Sequence, residues 1–493
     1  MTSNHLSDNT LRSLSKGVTT PGYDRDKVAL GIVHLGVGAF HRAHQAVYVD
    51  DCLGAGETGW GIVGVSLRSA DTRDALSPQD GLYTLAVRSS RGEQLRVIGS
   101  IGSMLVAPED AGAVLAALAD PRTRIVTLTI TEKAYLRAPG GGLDSAHPDI
   151  VSDLARPELP RTAHGFLAEA LRRRRAAGVA PFTVLCCDNL PANGATLHRL
   201  MIEFATLRDA DLARHIADEV AFPSSMVDRI VPATTDADRA RIAVELGVQD
   251  AWPVMTEPFR QWVIEDHFPA GRPAWEKFGV TMVEDVRPYE EMKLRLLNGS
   301  HSAIAYLGLL SGHATVDRAF ADPAIRQFVD ALWAEAISTL PEDAGLDTSY
   351  TEALAERFSN PALAHRTAQI ANDGSQKLPQ RIIASAIDCL EAGDEMVHLT
   401  LVVAAWIAAC AARGSTLPES HFTDPLDTAL TTLLRQHLPA TETVAAVFDL
   451  AGFAGDHAER QTLIELAAVH LVHLRRGGPT LAFAALGIGS EEA

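Results

Sequence analysis

"VALGIVHLGVGAFHRAHQA", residues 28–46, is the stretch on which the fold turns. Its first nine residues are almost all apolar and stop at Gly36, as a buried strand does. From His41 the apolar residues recur at helical spacing as far as the glycines of "CLGAG". Gly36 and Gly38 therefore sit where a strand meets a helix. Glycine permits the tight turn and lets a pyrophosphate approach the backbone, and the helix start supplies N–H donors. The third position of a G-x-G-x-x-G fingerprint is His41 here, so the fingerprint is incomplete, and a purely structural turn is the competing reading.

Outward from this turn the same alternation continues. "WGIVGVSLR" reads as a second strand and "LRVIGSI" as a third. "APEDAGAVLAALADP" reads as a helix with an acidic first turn, and "TRIVTLTIT" as a buried strand. "HGFLAEALRRRRAAGV" is a helix and "PFTVLCCDN" the strand after it. Strands alternating with helices predict an α/β domain with a parallel, doubly wound sheet. Residues 1–27 read as an N-terminal arm, and "RRRR" at 172–175 as a solvated helix face. Past residue 287 the pattern is helical throughout, as in "EEMKLRLLNGSHSAIAYLGLLSG" and "HLTLVVAAWIAACAARG". Two domains are expected, 1–287 and 288–493, the second mostly α-helical.

The 493 residues are 47% hydrophobic, enough for large cores, and carry a formal charge of −19. That balance argues against binding nucleic acid or an anionic membrane. The run Leu399–Ala412 is too short to span a bilayer and suits a buried helix. Five cysteines, Cys52, Cys186, Cys187, Cys389 and Cys410, show no CxxC or zinc spacing. A reduced, cytoplasmic setting follows. His34, His41 and His44 are not read as metal ligands, since one lies in a strand and the others open a helix. No apolar strip suggests a partner chain, so a monomer is expected.

An acidic residue after the second strand would bond the ribose hydroxyls of NAD and repel a 2′-phosphate. Asp71 fits that role. Arg68, three residues earlier, would instead accept the phosphate of NADP. The second chemical stretch is "KLRLLNGSH", 293–301. Oxidising a secondary alcohol needs a base for the hydroxyl proton and donors for the developing oxyanion. Lys293 is the base candidate, because partial desolvation lowers a lysine's pKa. Asn298 is a donor, and His301 lies one turn beyond it. Lys293 and His301 stand about 12 Å apart on an ideal helix, so they converge only across a long substrate or an irregular helix start. The competing reading is ordinary helix-surface residues.

With "HLGVGAFHRAHQA", "LTITEKAY", "CDNLPANG", "MVDRIVP", "EPFRQWVIED", "KLRLLNGSH" and "RFSNPALAHR" on the page, the chain resembles the mannitol dehydrogenase family of long-chain polyol dehydrogenases over nearly its whole length. The resemblance implies a Rossmann-like first domain, a helical second one and a metal-independent reaction. Its nucleotide motif, GxGxFHR, covers Gly36, Gly38, Phe40, His41 and Arg42. It implies Lys293 as general base, Asn298 and Asn189 as the oxyanion pair, and His301 as a substrate-hydroxyl binder. Glu132 would lie on the proton path, and Asp228 and Lys377 would touch substrate.

Within the family, "EKAY", "PFRQW" and "HRTAQIANDGSQKLPQR" resemble the branch interconverting D-mannonate and D-fructuronate. Lys133, Arg260 and Gln369 stand where the mannitol 2-dehydrogenases tend to carry glycine, valine and arginine. A sugar acid needs an extra cation for its carboxylate, and Lys133 or Arg260 would supply it, unless Arg260 pairs with Glu265 or Asp266. "DAWPV" and "VSLRSAD" are closer to the mannitol enzymes. The resemblance thus implies a hexonate or hexitol substrate, with D-mannonate/D-fructuronate first, mannitol/fructose next and mannitol 1-phosphate/fructose 6-phosphate third. A catalytically silent nucleotide sensor would need no Lys293.

Overall fold

Strands of the first unit are buried on both faces, and their side chains sort by parity. Val33, Val63, Val126 and Val184 face one core, against Val114, Leu118, Phe166 and Leu171. Their neighbours Ile32, Ile62, Ile125 and Leu185 face the other, against Ala46, Val49, Leu53 and Trp262. Near-continuous apolar runs with period-two sorting belong to a parallel sheet covered by helices on both sides. The computed structural model describes residues 5–138, 140–341, 348–413 and 422–489. The described chain forms two compact units, Met1–Arg287 and Pro288–Ala493. Residues 1–4 of the N-terminal arm and 490–493 of the second unit lie outside the described residues.

In chain order the strands are Leu30–Leu35 (β1), Gly61–Ser66 (β2), Tyr83–Ser89 (β3), Gly92–Ile98 (β4), Ile101–Val106 (β5), Ile125–Leu128 (β6), Thr183–Cys186 (β7), Ser225–Asp228 (β8), Val254–Thr256 (β9), Gln261–Glu265 (β10) and Thr281–Val283 (β11). The main sheet runs β5-β2-β1-β6-β7, all parallel. Strand order reverses between β1 and β6, which is the switch point where open parallel sheets bind ligands. This is the expected Rossmann-like, doubly wound sheet.

Two readings need correction. "LRVIGSI" is not one strand. Its first half closes a β3–β4 hairpin in a separate sheet ordered β4-β3-β9, and its last residue opens β5. Gly99 and Ser100 make the turn between them. The N-terminal arm is docked: Leu6 is fully buried in a small core with Leu82, Val97, Leu246 and Val248, and Arg25 forms a bidentate pair with Asp8 at 2.6 and 2.7 Å. The four arginines of the helix Ala163–Ala176 do not share a solvated face. Arg172 and Arg173 pair with the buried Glu169 at 2.9 and 2.8 Å. Arg174 is itself buried and donates to the carbonyls of Ala180, Leu118 and Asp120 at 2.8–3.1 Å.

Every named element of the second unit is helical among the described residues. Its central helix, Val397–Ala412, is buried along most of its length. The helices Gly299–Leu310 and Arg460–Ala485 pack against it. No helix among the described residues is long and apolar enough to cross a membrane.

Arg174→Ala strands three carbonyl acceptors in the interior. We expect a loss of about 2–4 kcal/mol, against less than about 0.5 kcal/mol for the exposed Arg175→Ala, both read as urea unfolding midpoints. Equal effects would refute the structural assignment of Arg174.

Candidate active site

The turn after β1 is shaped by a missing side chain. Gly36 has φ +96°, and a Cβ there would stand 2.2 Å from the Thr129 carbonyl oxygen at the end of β6. Only glycine fits. A Cβ at Gly38 would meet nothing nearer than 3.8 Å, so the backbone beyond the turn faces open space. His41 occupies the third fingerprint position for a visible reason. Its ring stacks on His34 of β1, centroids 3.5 Å apart, making the close helix–strand contact that glycine makes elsewhere. His34 is fixed by Thr127 Oγ1 at 2.7 Å and Thr129 Oγ1 at 2.9 Å. Burial lowers the His34 pKa to about 3 and holds His41 well below its ordinary value. Phe40 stacks on His44.

Arg42, expected at the cofactor, is turned the other way. It is 1% exposed, donates to the Trp252 carbonyl and lies 5.2 Å from the Tyr83 ring, so it locks the helix Ala39–Ala43 to the loop before β9. A cavity of about 650 Å³ opens at the carboxyl ends of β2, β5 and β6, lined by Leu67, Arg68, Pro108, Ile130, Arg161 and Thr162 among others. Arg68 lines it. Asp71 does not; it begins the helix Asp71–Leu76 and accepts a hydrogen bond from Ser69 Oγ at 2.9 Å.

The ends of β6 and β7 carry the next candidates. Glu132 and Lys133 are exposed on the 3₁₀ turn Glu132–Tyr135. Asn189 is exposed on the loop after β7. Asp188, not singled out from the sequence, ties the two together. Its carboxylate accepts from the Ile130 and Thr131 N–H groups at 2.9 and 3.0 Å and from the Tyr135 hydroxyl at 2.7 Å. Burial raises its pKa, opposed by those hydrogen bonds. The "CDN" triplet was the available signal, since a carboxylate beside a strand end meets orphan N–H groups. Asp228 closes β8 and is buried. Arg260 pairs with Asp51 at 2.8 Å and lies 4.3 Å over the Tyr48 ring. It does not use Glu265, which accepts from the Ser224 N–H, or Asp266, which pairs with Arg272.

The remaining candidates belong to the second unit. Lys293–Asn298 is a π-helical turn, followed by the α-helix Gly299–Leu310. This alters the angle between the candidates, though hardly the rise that separates them along the axis. On an α-helix Lys293 and Asn298 would point about 140° apart; an i→i+5 helix, with about 4.4 residues per turn, brings them within about 50°. His301, three α-helical residues further, returns to the same sector. The outer side of the turn is anchored by Arg295, paired with Asp388 at 2.7 Å, and by Trp333 Nε1 donating to the Leu296 carbonyl at 3.2 Å.

A second π-helical turn, Pro379–Ile383, packs against the first. Pro379 lacks the N–H that an α-helix needs there, which is one cause of such bulges. Arg381 on this turn donates to the Asn298 carbonyl and to Ser302 Oγ, both at 3.3 Å. A Cβ at Gly299 would lie 3.1 Å from the Arg381 carbonyl, so glycine lets the turns meet. Lys293 and His301 are each 8% exposed. His301 Nε2 has no hydrogen-bond partner among the described residues. Burial, then His365, Arg357, Arg381 and Lys377, hold its pKa well below the usual imidazole range. Lys377 Nζ donates to the Asn372 carbonyl at 2.6 Å. Gln369 is exposed on the short helix Thr367–Ile370.

The two units match two family profiles, the mannitol dehydrogenase Rossmann domain over residues 30–277 and the mannitol dehydrogenase C-terminal domain over 285–474. A mannitol 2-dehydrogenase of Cereibacter sphaeroides is 43% identical over 472 residues, covering 94% of this chain and 98% of the relative. Among solved structures, the Pseudomonas fluorescens mannitol 2-dehydrogenase ternary complex with NAD and D-mannitol is similar with TM-score 0.85 and 40% identity, over 98% of this chain and 99% of that one. A D-sorbitol dehydrogenase in substrate-free form is similar with TM-score 0.89 and 34% identity, over 97% and 100%. With both profiles matched and a relative similar along almost its full length, the chain belongs to the mannitol dehydrogenase family.

Proposed function

We propose that this oxidoreductase uses NAD to interconvert a secondary hydroxyl of a neutral hexitol with the ketose, D-mannitol with D-fructose being the best match. The observation that carries the reading is the π-helical turn Lys293–Asn298, whose wider winding supports Lys293, Asn298 and His301 sharing one face. A sensor would need no such arrangement. The Cereibacter relative and the Pseudomonas structure support mannitol as the substrate and NAD as the cofactor.

The glycine cradle fits a dinucleotide. Gly36 leaves no side chain in the turn, Gly38 opens onto free space, and the neighbouring cavity has room for the adenosine end. NAD bound there supplies the hydride acceptor. The protein's own groups do the proton work. Lys293 takes the hydroxyl proton, and Glu132 passes it on. The amides of Asn298 and Asn189 donate to the oxygen as charge develops. Kept neutral by burial, His301 offers a hydrogen bond to a neighbouring hydroxyl, with Asp228 and Lys377 as further contacts.

Support for a sugar acid weakens, because Arg260 is neutralised by Asp51. Lys133 remains on an exposed turn. A phosphorylated substrate loses its basic cluster too, because Arg172, Arg173 and Arg174 have internal partners.

NADH oxidation should proceed with D-fructose at a kcat/KM at least about tenfold above that with D-fructuronate, roughly 1.4 kcal/mol of discrimination. The reverse preference would return Lys133 to the site and the sugar acid to first place. Lys293→Ala should lower turnover by about 10²–10⁴-fold while NADH still binds, as followed by fluorescence titration. Asn298→Ala should lower kcat far more than it raises KM; an unchanged kcat would remove its oxyanion role. Gly36→Ala, which drives a Cβ into the Thr129 carbonyl, should abolish NADH binding. Retained binding would place the cofactor elsewhere.

A further inference from the structure

We propose that Asp188 is a positioning residue of this active site, whose carboxylate holds Thr131 in a glycine-type backbone conformation and so aims Glu132 and Asn189 from one rigid frame. The proposal rests on the reading above that those two side chains serve the reacting oxygen. Thr131 has φ +72° and ψ 150°. That region is essentially reserved for glycine, and a β-branched residue enters it only under constraint. The constraint is visible. Asp188 Oδ1 accepts the Thr131 N–H at 3.0 Å, while Oδ2 accepts the Ile130 N–H at 2.9 Å and the Tyr135 hydroxyl at 2.7 Å. Residues on both sides of the distorted peptide are thus held by one carboxylate.

The same short segment reaches further. Asn193 Nδ2 donates to the Asp188 carbonyl at 3.1 Å and to the Ser225 carbonyl at 2.7 Å, and the Ser225 N–H returns to Asn193 Oδ1 at 2.9 Å. The loop carrying Asn189 is therefore tied both to the turn carrying Glu132 and to the strand that ends in Asp228. Three donors converge on two oxygens that have nothing to donate. A carboxylate satisfies that set; an amide would turn its own N–H₂ on one of them.

Three variants test this against wild type with whichever substrate the wild type turns over. Asp188→Asn should lower kcat by about tenfold or more, with KM and NADH affinity within about twofold. Adding Thr131→Gly should restore kcat at least about threefold, because glycine adopts the conformation without steric strain. Thr131→Gly alone should unfold at a denaturant midpoint no lower than wild type. A kcat for Asp188→Asn within twofold of wild type would overturn the proposal, as would a double variant no faster than Asp188→Asn. Should Asp188→Asn not fold, the Thr131→Gly midpoint decides: a clear drop means Thr131 is unstrained and the proposal fails. A wild type inactive on every polyol and sugar acid would sink the functional reading instead, and the midpoint would still test the strain.

Discussion

The carbonyl oxygen of Thr129 stands where a side chain on residue 36 would begin. Much of the first unit's active end follows from that contact. β1 and β6 are neighbours where strand order reverses, so their carboxyl ends must lie side by side, and one of the two backbones must give up its Cβ. Giving it up at Gly36 turns the chain sharply and leaves the next residues facing open space. The helix that follows still has to pack on the sheet. It does so with a flat ring, His41 on His34, held in register by two threonines. The imidazoles are held neutral because they are dry.

The second unit solves a different problem with the same device. Lys293 and Asn298 would point about 140° apart on a regular helix, and the wider winding of the π-helical turn narrows that angle. Such a turn is poor as isolated structure and needs outside support. It has Arg295 and Trp333 on one side and the Arg381 turn on the other. Gly299 allows the close approach there as Gly36 does in the first unit. Gly374 repeats it where Lys377 is carried: a Cβ would stand 2.2 Å from Trp406 Nε1.

How much of this was legible depended on whether the signal was local. The alternation of apolar strands and helices, the glycine turn and the helical second half were all written in short-range pattern. What was missed lay in contacts between segments far apart in sequence. Arg42 reads as a ligand contact until Trp252, 210 residues on, is seen to accept from it. Four successive arginines look solvated until Glu169 and three carbonyls claim the first three. "LRVIGSI" has strand composition throughout, and only pairing with β3 splits it. The π-turn has no compositional signature at all; Pro379 and Gly299 mark it only once the two segments are known to meet.

Electrostatics then narrows the choice of substrate. Around the strand ends of the first unit, arginines with long reach are committed inward: Arg42 and Arg229 to backbone carbonyls, Arg96 and Arg260 to Asp50 and Asp51. A guanidinium already facing a carboxylate at 2.8 Å has little to offer a second one. Lys133 stays exposed on its turn, and Arg68 and Arg161 line the cavity. Hydroxyl groups are read well by donors and acceptors alike, because each can both give and take a hydrogen bond. A carboxylate is read best by the fork of an arginine, and those of Arg42, Arg229, Arg96 and Arg260 are occupied.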